Sequence, residues 1–194
     1  MTNSDLSKYI SNRFNDVVIS GHSIAVRLRR EVVGATPQQI RTAIESLSRL
    51  NPGHFRGSLE YDEIAAVQCG VITYKEIKGP IVMWIHGGGF TFGSAMVYKA
   101  TAIYLARYYG CQVIIPNYRL SPEYKYPIPF QDCLNVYKKL VEDGEKIDLI
   151  GDSAGGNIAS ALVQTCISTD IQVPEKLVLL SPWLDLSKIS VSNK

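Results

Sequence analysis

The chain has 194 residues, 46% of them apolar and 20% charged, with a formal net charge of +2. That length and composition suit one globular domain with a substantial buried core. The near balance of 20 basic and 18 acidic residues gives no electrostatic footprint for a nucleic acid or an anionic surface.

In chain order, the polar start MTNSDLSKYI lacks the apolar core of a signal peptide. The short basic cluster Arg27, Arg29 and Arg30 is broken by Leu28 and reads as a solvated face. One clear helix follows, Thr36 to Leu50, opened by the capping box Thr36-x-x-Gln39 with Pro37 at its first position. Its apolar stripe is Ile40, Ala43, Ile44, Leu47 and Leu50, and Asn51-Pro52-Gly53 ends it. From Cys69 the rhythm changes to short apolar runs alternating with helical patterns. Strands are expected at about 69–77, 80–85, 112–117, 147–151 and 176–181, with helices at about 95–109, 128–142 and 154–168. Apolar strands without alternation, joined by helices, predict an α/β fold with a mostly parallel sheet covered on both faces. The strand C-termini then share one edge, where ligands bind in such folds. No apolar run approaches the roughly 20 residues needed to span a bilayer. Cys69, Cys111, Cys133 and Cys166 are dispersed, without metal-ligand or redox spacing, and read as small apolar core residues. With no N-x-[ST] sequon, they point to a reducing, cytoplasmic setting, and their spacing offers no metal site.

Two motifs carry chemistry. Gly151-Asp152-Ser153-Ala154-Gly155 fits G-x-S-x-G between an apolar strand and a helix, the setting of a nucleophile elbow. A tight turn there holds the serine strained and aims the helix N-terminus at a developing oxyanion. The alternative is a glycine-rich turn that binds phosphate. His86-Gly87-Gly88-Gly89-Phe90 follows another strand, and its glycines can turn the backbone and expose N–H groups. Alone it is a flexible turn. Beside a downstream G-x-S-x-G it is the oxyanion loop of lipases and esterases.

With IHGGGF (85–90), NYRLSPEYKYPIPFQD (117–132), GDSAGGN (151–157) and LLSPWLDLS (179–187), the chain resembles the hormone-sensitive-lipase-like, or α/β-hydrolase-3, esterases over about 70 to 190. The resemblance implies an α/β-hydrolase fold with residues 1–68 as a helical cap segment and 69–194 as the N-terminal part of the hydrolase domain. It implies Ser153 as nucleophile, the N–H groups of Gly87, Gly88 and Ala154 as the oxyanion hole, a small-molecule ester as substrate, and no cofactor. Short or medium acyl chains are usual in the family, and several fungal members resemble membrane-associated steryl-acetate deacetylases. The family's sixth-strand loop and later acid also imply that Asp185 is not the triad acid.

Other polar residues read as structural. His86 belongs to the oxyanion loop and is expected in local hydrogen bonding. Asp152 points away from the nucleophile. Tyr118, Arg119 and Glu123 form a polar cluster beneath the pocket. A hydrolase triad runs Ser, then Asp or Glu, then His. The 41 residues after Ser153 contain no histidine, and His22 and His54 precede the motifs as surface or cap residues. The catalytic acid and base are therefore expected outside this chain, with strands 7 and 8 of the family pattern. A fragment, a truncated product or a half completed by another chain would each fit. The chain alone is expected to hydrolyse p-nitrophenyl esters negligibly. The competing reading is a non-catalytic ligand-binding or degenerate member of the fold, since the gibberellin receptors of the family lack the catalytic histidine.

Overall fold

Strand pairing begins earlier than the apolar pattern indicates. The computed structural model describes residues 35–50, 57–75, 77 and 79–186. Within them, β1 (Ser58–Ile64) and β2 (Val67–Thr73) form an antiparallel hairpin, with Ile64 opposite Val67. Residues 58–64 are thus sheet, although they fall in the segment read as helical. Most β1 side chains are exposed, and only Leu59 and Ile64 are partly covered, so no apolar run marks the strand. Its turn residues Ala65 and Ala66 have φ of 51° and 61°. Both central residues of a type I′ turn need positive φ, which Asn-Gly normally signals.

Among the described residues the sheet has six strands in the order β1-β2-β4-β3-β5-β6, the others being β3 (Ile81–Ile85), β4 (Gln112–Pro116), β5 (Ile147–Asp152) and β6 (Lys176–Leu180). β2 runs antiparallel to β4, whereas β4, β3, β5 and β6 are mutually parallel. The described helices are α1 (Pro37–Leu50), α2 (Ala95–Tyr109), α3 (Ile128–Glu142) and α4 (Ala154–Ser168). The anticipated capping box forms at α1: Thr36 N–H donates to Gln39 Oε1 at 2.8 Å, and Gln39 N–H to Thr36 Oγ1 at 3.3 Å.

All five residues of β3 are buried, because both sides of the strand are covered. Ile81, Met83 and Ile85 join the core under α3 and α4, with Cys133, Tyr137, Leu140, Ile158 and Leu162. Val82 and Trp84 face the other way, onto Ala95, Ala102, Ile103 and Ala106 of α2. Each of the Val, Leu, Ile and Met side chains contributes roughly 1.5–3 kcal/mol by leaving water. α1 packs in turn against α2. The four cysteines are buried in these layers as expected. Burial pushes the Cys69 thiol up to about 12 and the Cys111 thiol up to about 11, so neither is a thiolate at neutral pH.

The topology locates the site. From β3 the chain crosses through α2 to β4, while from β5 it crosses through α4 to β6 on the opposite side. β3 and β5 are neighbours, with Ile85 opposite Gly151. Their connections depart in opposite directions, which opens a crevice at their carboxyl ends, the topological switch point of such sheets. Both glycine-rich motifs begin there. Among the described residues, no helix is long and apolar enough to cross a membrane.

Candidate functional site

The turn from β5 into α4 puts Ser153 at φ 50° and ψ −117°. A non-glycine residue held in this region costs of order 1–3 kcal/mol and needs its surroundings to enforce it. The enforcing contacts are backbone bonds on both sides. Ser153 N–H donates to Leu180 O at 3.0 Å, which extends the β5–β6 ladder into the turn. Ser153 O accepts from the N–H groups of Gly156 at 3.1 Å, Asn157 at 3.3 Å and Trp183 at 2.9 Å. Asn157 Nδ2 donates back to Trp183 O at 3.0 Å, and the Trp183 ring lies 6.2 Å from that of Phe90. The segment after β6 therefore clasps the turn, a role that LLSPWLDLS did not reveal as sequence. Asp185, in the same segment, is exposed.

Two glycines make the close approach possible. A Cβ on Gly155 would sit 2.1 Å from Ile85 O and 2.6 Å from His86 O, so α4 can meet the end of β3 only without that carbon. A Cβ on Gly151 would meet Gly155 O at 2.5 Å.

Asp152 turns away from Ser153, as anticipated, onto the α2 side of the sheet. Its Oδ1 accepts from Trp84 Nε1 at 2.9 Å and from Gly87 N–H at 3.0 Å, and its Oδ2 accepts from Tyr98 Oη at 2.6 Å. Burial and the adjacent carboxylate push the Tyr98 phenol well above its ordinary value of 10.0, so it remains a donor. Gly87 N–H also lies 3.1 Å from Tyr98 Oη. The Gly87 amide is held inward by Asp152 and Tyr98 and is not an open donor. The amides of Gly88, Gly89 and Ala154 have no acceptor among the described residues. Gly88 and Gly89 adopt φ of 115° and 60°, and Gly88 O accepts from Thr91 N–H at 3.0 Å and Phe92 N–H at 2.9 Å, closing the loop into a tight turn.

His86 is fully buried beneath this loop, with Nδ1 2.8 Å from Gly87 O and its ring stacked on Tyr118 at 4.3 Å. Burial is the main cause holding its imidazole below the ordinary 6.5, so it is neutral. A neutral, enclosed ring engaged with its own loop is a local support, in line with the sequence reading. Tyr118 Oη donates to His86 O at 2.7 Å.

Tyr118, Arg119 and Glu123 do not form one cluster. Arg119 makes a fork to buried Asp132, Nε to Oδ2 at 2.9 Å and Nη2 to Oδ1 at 2.6 Å, and its backbone N–H adds a third bond to Oδ2 at 2.9 Å. Glu123 instead meets Arg41 of α1, with Nη2–Oε2 at 2.8 Å and Nη1–Oε1 at 3.1 Å. A cleft of about 370 Å³ opens between α1 and these loops, with Arg41, Ser94, Asn117, Tyr118, Leu120 and Tyr124 on its wall, and Ser153 is not part of that wall. No described side chain hydrogen-bonds the Ser153 hydroxyl. His22 and His54 lie outside the described residues. No group of three or more His, Cys, Asp or Glu side chains is placed to hold a metal among the described residues.

A family model described as alpha/beta hydrolase fold matches residues 82–194. An esterase of Acinetobacter venetianus is 33% identical over 159 residues, 80% of this chain and 52% of that protein. An ethyl acetate hydrolase of Pseudomonas putida is 30% identical over 119 residues, 57% of this chain and 37% of that protein. An acetyl-hydrolase of Streptomyces hygroscopicus is 31% identical over 112 residues, 56% and 38% of the two. The chain thus spans about half of the first relative's length and under two fifths of the other two. Among solved structures, an esterase of the bacterial hormone-sensitive lipase family superposes with a TM-score of 0.76 at 29% identity, covering 82% of this chain and 55% of that one. The thermostable carboxylesterase EstE1, cloned from a metagenomic library, gives 0.70 at 27% identity, covering 81% and 58%.

Proposed function

Because the chain belongs to the hormone-sensitive-lipase-like (α/β-hydrolase-3) esterase family, we propose that it supplies the nucleophile and the oxyanion site of a carboxylic ester hydrolase. The observation that carries the reading is the strained turn at Ser153, beside a loop whose Gly88 and Gly89 amides are open. In this reading Ser153 Oγ attacks the acyl carbon, and the carbonyl oxygen becomes an oxyanion held by the N–H groups of Gly88, Gly89 and Ala154. Collapse expels the alcohol and leaves an acyl-serine, which water then hydrolyses to the carboxylic acid. Donors placed where charge develops lower the barrier, and losing one typically costs about 10²–10³ in kcat. The positive end of α4 adds to the same field. The general base and its acid partner come from outside the described residues, since His86 is enclosed and engaged. Residues 1–68 belong to the proposal as the cap over the pocket, with 58–64 serving the sheet.

Small acyl groups are the proposed substrate class, in keeping with the Pseudomonas ethyl acetate hydrolase and the Streptomyces acetyl-hydrolase that the chain resembles. The test is turnover of p-nitrophenyl acetate by the full-length protein and its Ser153→Ala variant. Loss of about 10³-fold or more in kcat is expected, from the collapse of a unit that acts together. Undiminished turnover in the variant would refute the assignment. Ligand binding without turnover in the wild type would favour the binding-protein reading.

A further inference from the structure

Arg41 stands on α1, far in sequence from both motifs, yet most of its hydrogen bonds go to the loops that form the site. Its side chain is only 16% exposed. Nε donates to Thr91 O at 2.7 Å, and Nη2 donates to Ser121 O. The Glu123 carboxylate takes the two bonds already described, and Gln38 Oε1 takes one more from Nη1 at 3.2 Å. Thr91 closes the turn onto Gly88 O, and Ser121 N–H donates to Phe90 O at 2.8 Å. One guanidinium therefore grips the oxyanion loop directly at Thr91, and indirectly through the segment that holds Phe90.

The loop is otherwise anchored from below, through Gly87 N–H on Asp152 and His86 O on Tyr118. Those anchors fix its first two residues. Beyond them come Gly88 and Gly89, which have no side chain to pack and large conformational freedom. Their far end is held by Arg41 and Ser121. A planar fork of five donors can satisfy two carbonyls and a carboxylate at once, which a lysine ammonium cannot do in the same geometry.

We propose that Arg41 is a positioning residue for the reaction at Ser153, fixing the far side of the oxyanion loop so that α1 is a working part of the catalytic apparatus. This rests on the ester-hydrolase reading. Donors that are free to drift stabilise the transition state less while leaving ground-state binding unchanged, so the effect falls on kcat and not on KM.

The experiment measures Arg41→Gln and Arg41→Lys in the full-length protein, with Arg49→Gln on the same helix as control. Hydrogen exchange at residues 88–92 is followed together with kcat and KM for p-nitrophenyl acetate. Faster exchange confined to 88–92 and the 121 segment is expected in Arg41→Gln. A kcat lowered by about 10-fold or more at a KM within about twofold is expected with it. Arg41→Lys should fall between this variant and wild type, and the control should match wild type. Unchanged exchange at 88–92 overturns the proposal whatever the activity, and so does faster exchange with unchanged kcat. If Arg41→Gln does not fold, the same criteria apply to Arg41→Lys. An inactive wild type refutes the ester-hydrolase reading, and exchange alone then decides whether Arg41 braces the loop.

Discussion

Gly155→Ala probes the packing on which the site depends. The added Cβ would lie 2.1 Å from Ile85 O, 2.6 Å from His86 O and 2.7 Å from Ile85 C. Ordinary van der Waals contact begins at 3.4 Å, and every one of these neighbours is backbone, so no side chain can rotate aside. Relief requires α4 and β3 to separate by about 1 Å at the point where their two loops face each other. Overpacking usually costs about 1–3 kcal/mol, and a rigid backbone neighbour places this site near the top of that range. Against it stands a gain of about 1 kcal/mol, since alanine is the better helix former and position 155 is in the first turn of α4. The net expectation is a loss of about 2 kcal/mol in urea unfolding, with the denaturant slope unchanged. Activity should fall further than stability, because a displacement of about 1 Å between nucleophile and donors costs on the order of 100-fold. A variant within about 0.5 kcal/mol of wild type and equally active would show that the β3–α4 approach does not set the geometry.

The Ala65-Ala66 turn should respond in the opposite direction. Replacing the pair by Asn-Gly removes two positive-φ alanines, at roughly 1–2 kcal/mol per residue, and thermal melts should show a stabilised chain with an unchanged site. No gain in Tm would place the cost elsewhere. For His86 the sign follows from its depressed folded-state affinity. The unfolded chain takes up a proton as pH falls below 6.5, while the buried ring resists it, so stability is complete above 6.5 and declines below. Urea titrations between pH 8 and 5 should show this slope, and His86→Asn should flatten it. Glu123, lowered from 4.5 chiefly by its hydrogen bond from Arg41, adds acid sensitivity only below 4.5 and so leaves the histidine window clear.

The central strand β3 was legible because its environment is uniform. IVMWI is apolar throughout since helices cover both of its faces, whereas the strand before Ser153, IDLIGD, alternates buried Ile147 and Leu149 with part-covered Asp148 and Ile150. β1 was not legible. It is an edge strand with polar side chains on its open surface, and its turn uses alanines in a conformation that sequence assigns to Asn-Gly. The glycine-rich motifs located the site, but which amides stay open is a tertiary matter. The N–H of Gly87 looks equivalent to that of Gly88 until Asp152, Trp84 and Tyr98 are brought together from three elements. Arg41 carried no signal either, since its carbonyl partners are invisible in side-chain identity. Its link to Thr91 spans 50 residues and its link to Ser121 spans 80.

The most direct test of the account is to trap the acyl transfer itself. The full-length protein is treated with a fluorophosphonate ester, which forms a stable tetrahedral adduct on an activated serine, and the modified peptide is identified by mass. The account predicts one adduct, on Ser153, absent in Ser153→Ala and formed at a markedly lower rate in Gly155→Ala. Modification of another residue, or labelling that persists in Ser153→Ala, would contradict it.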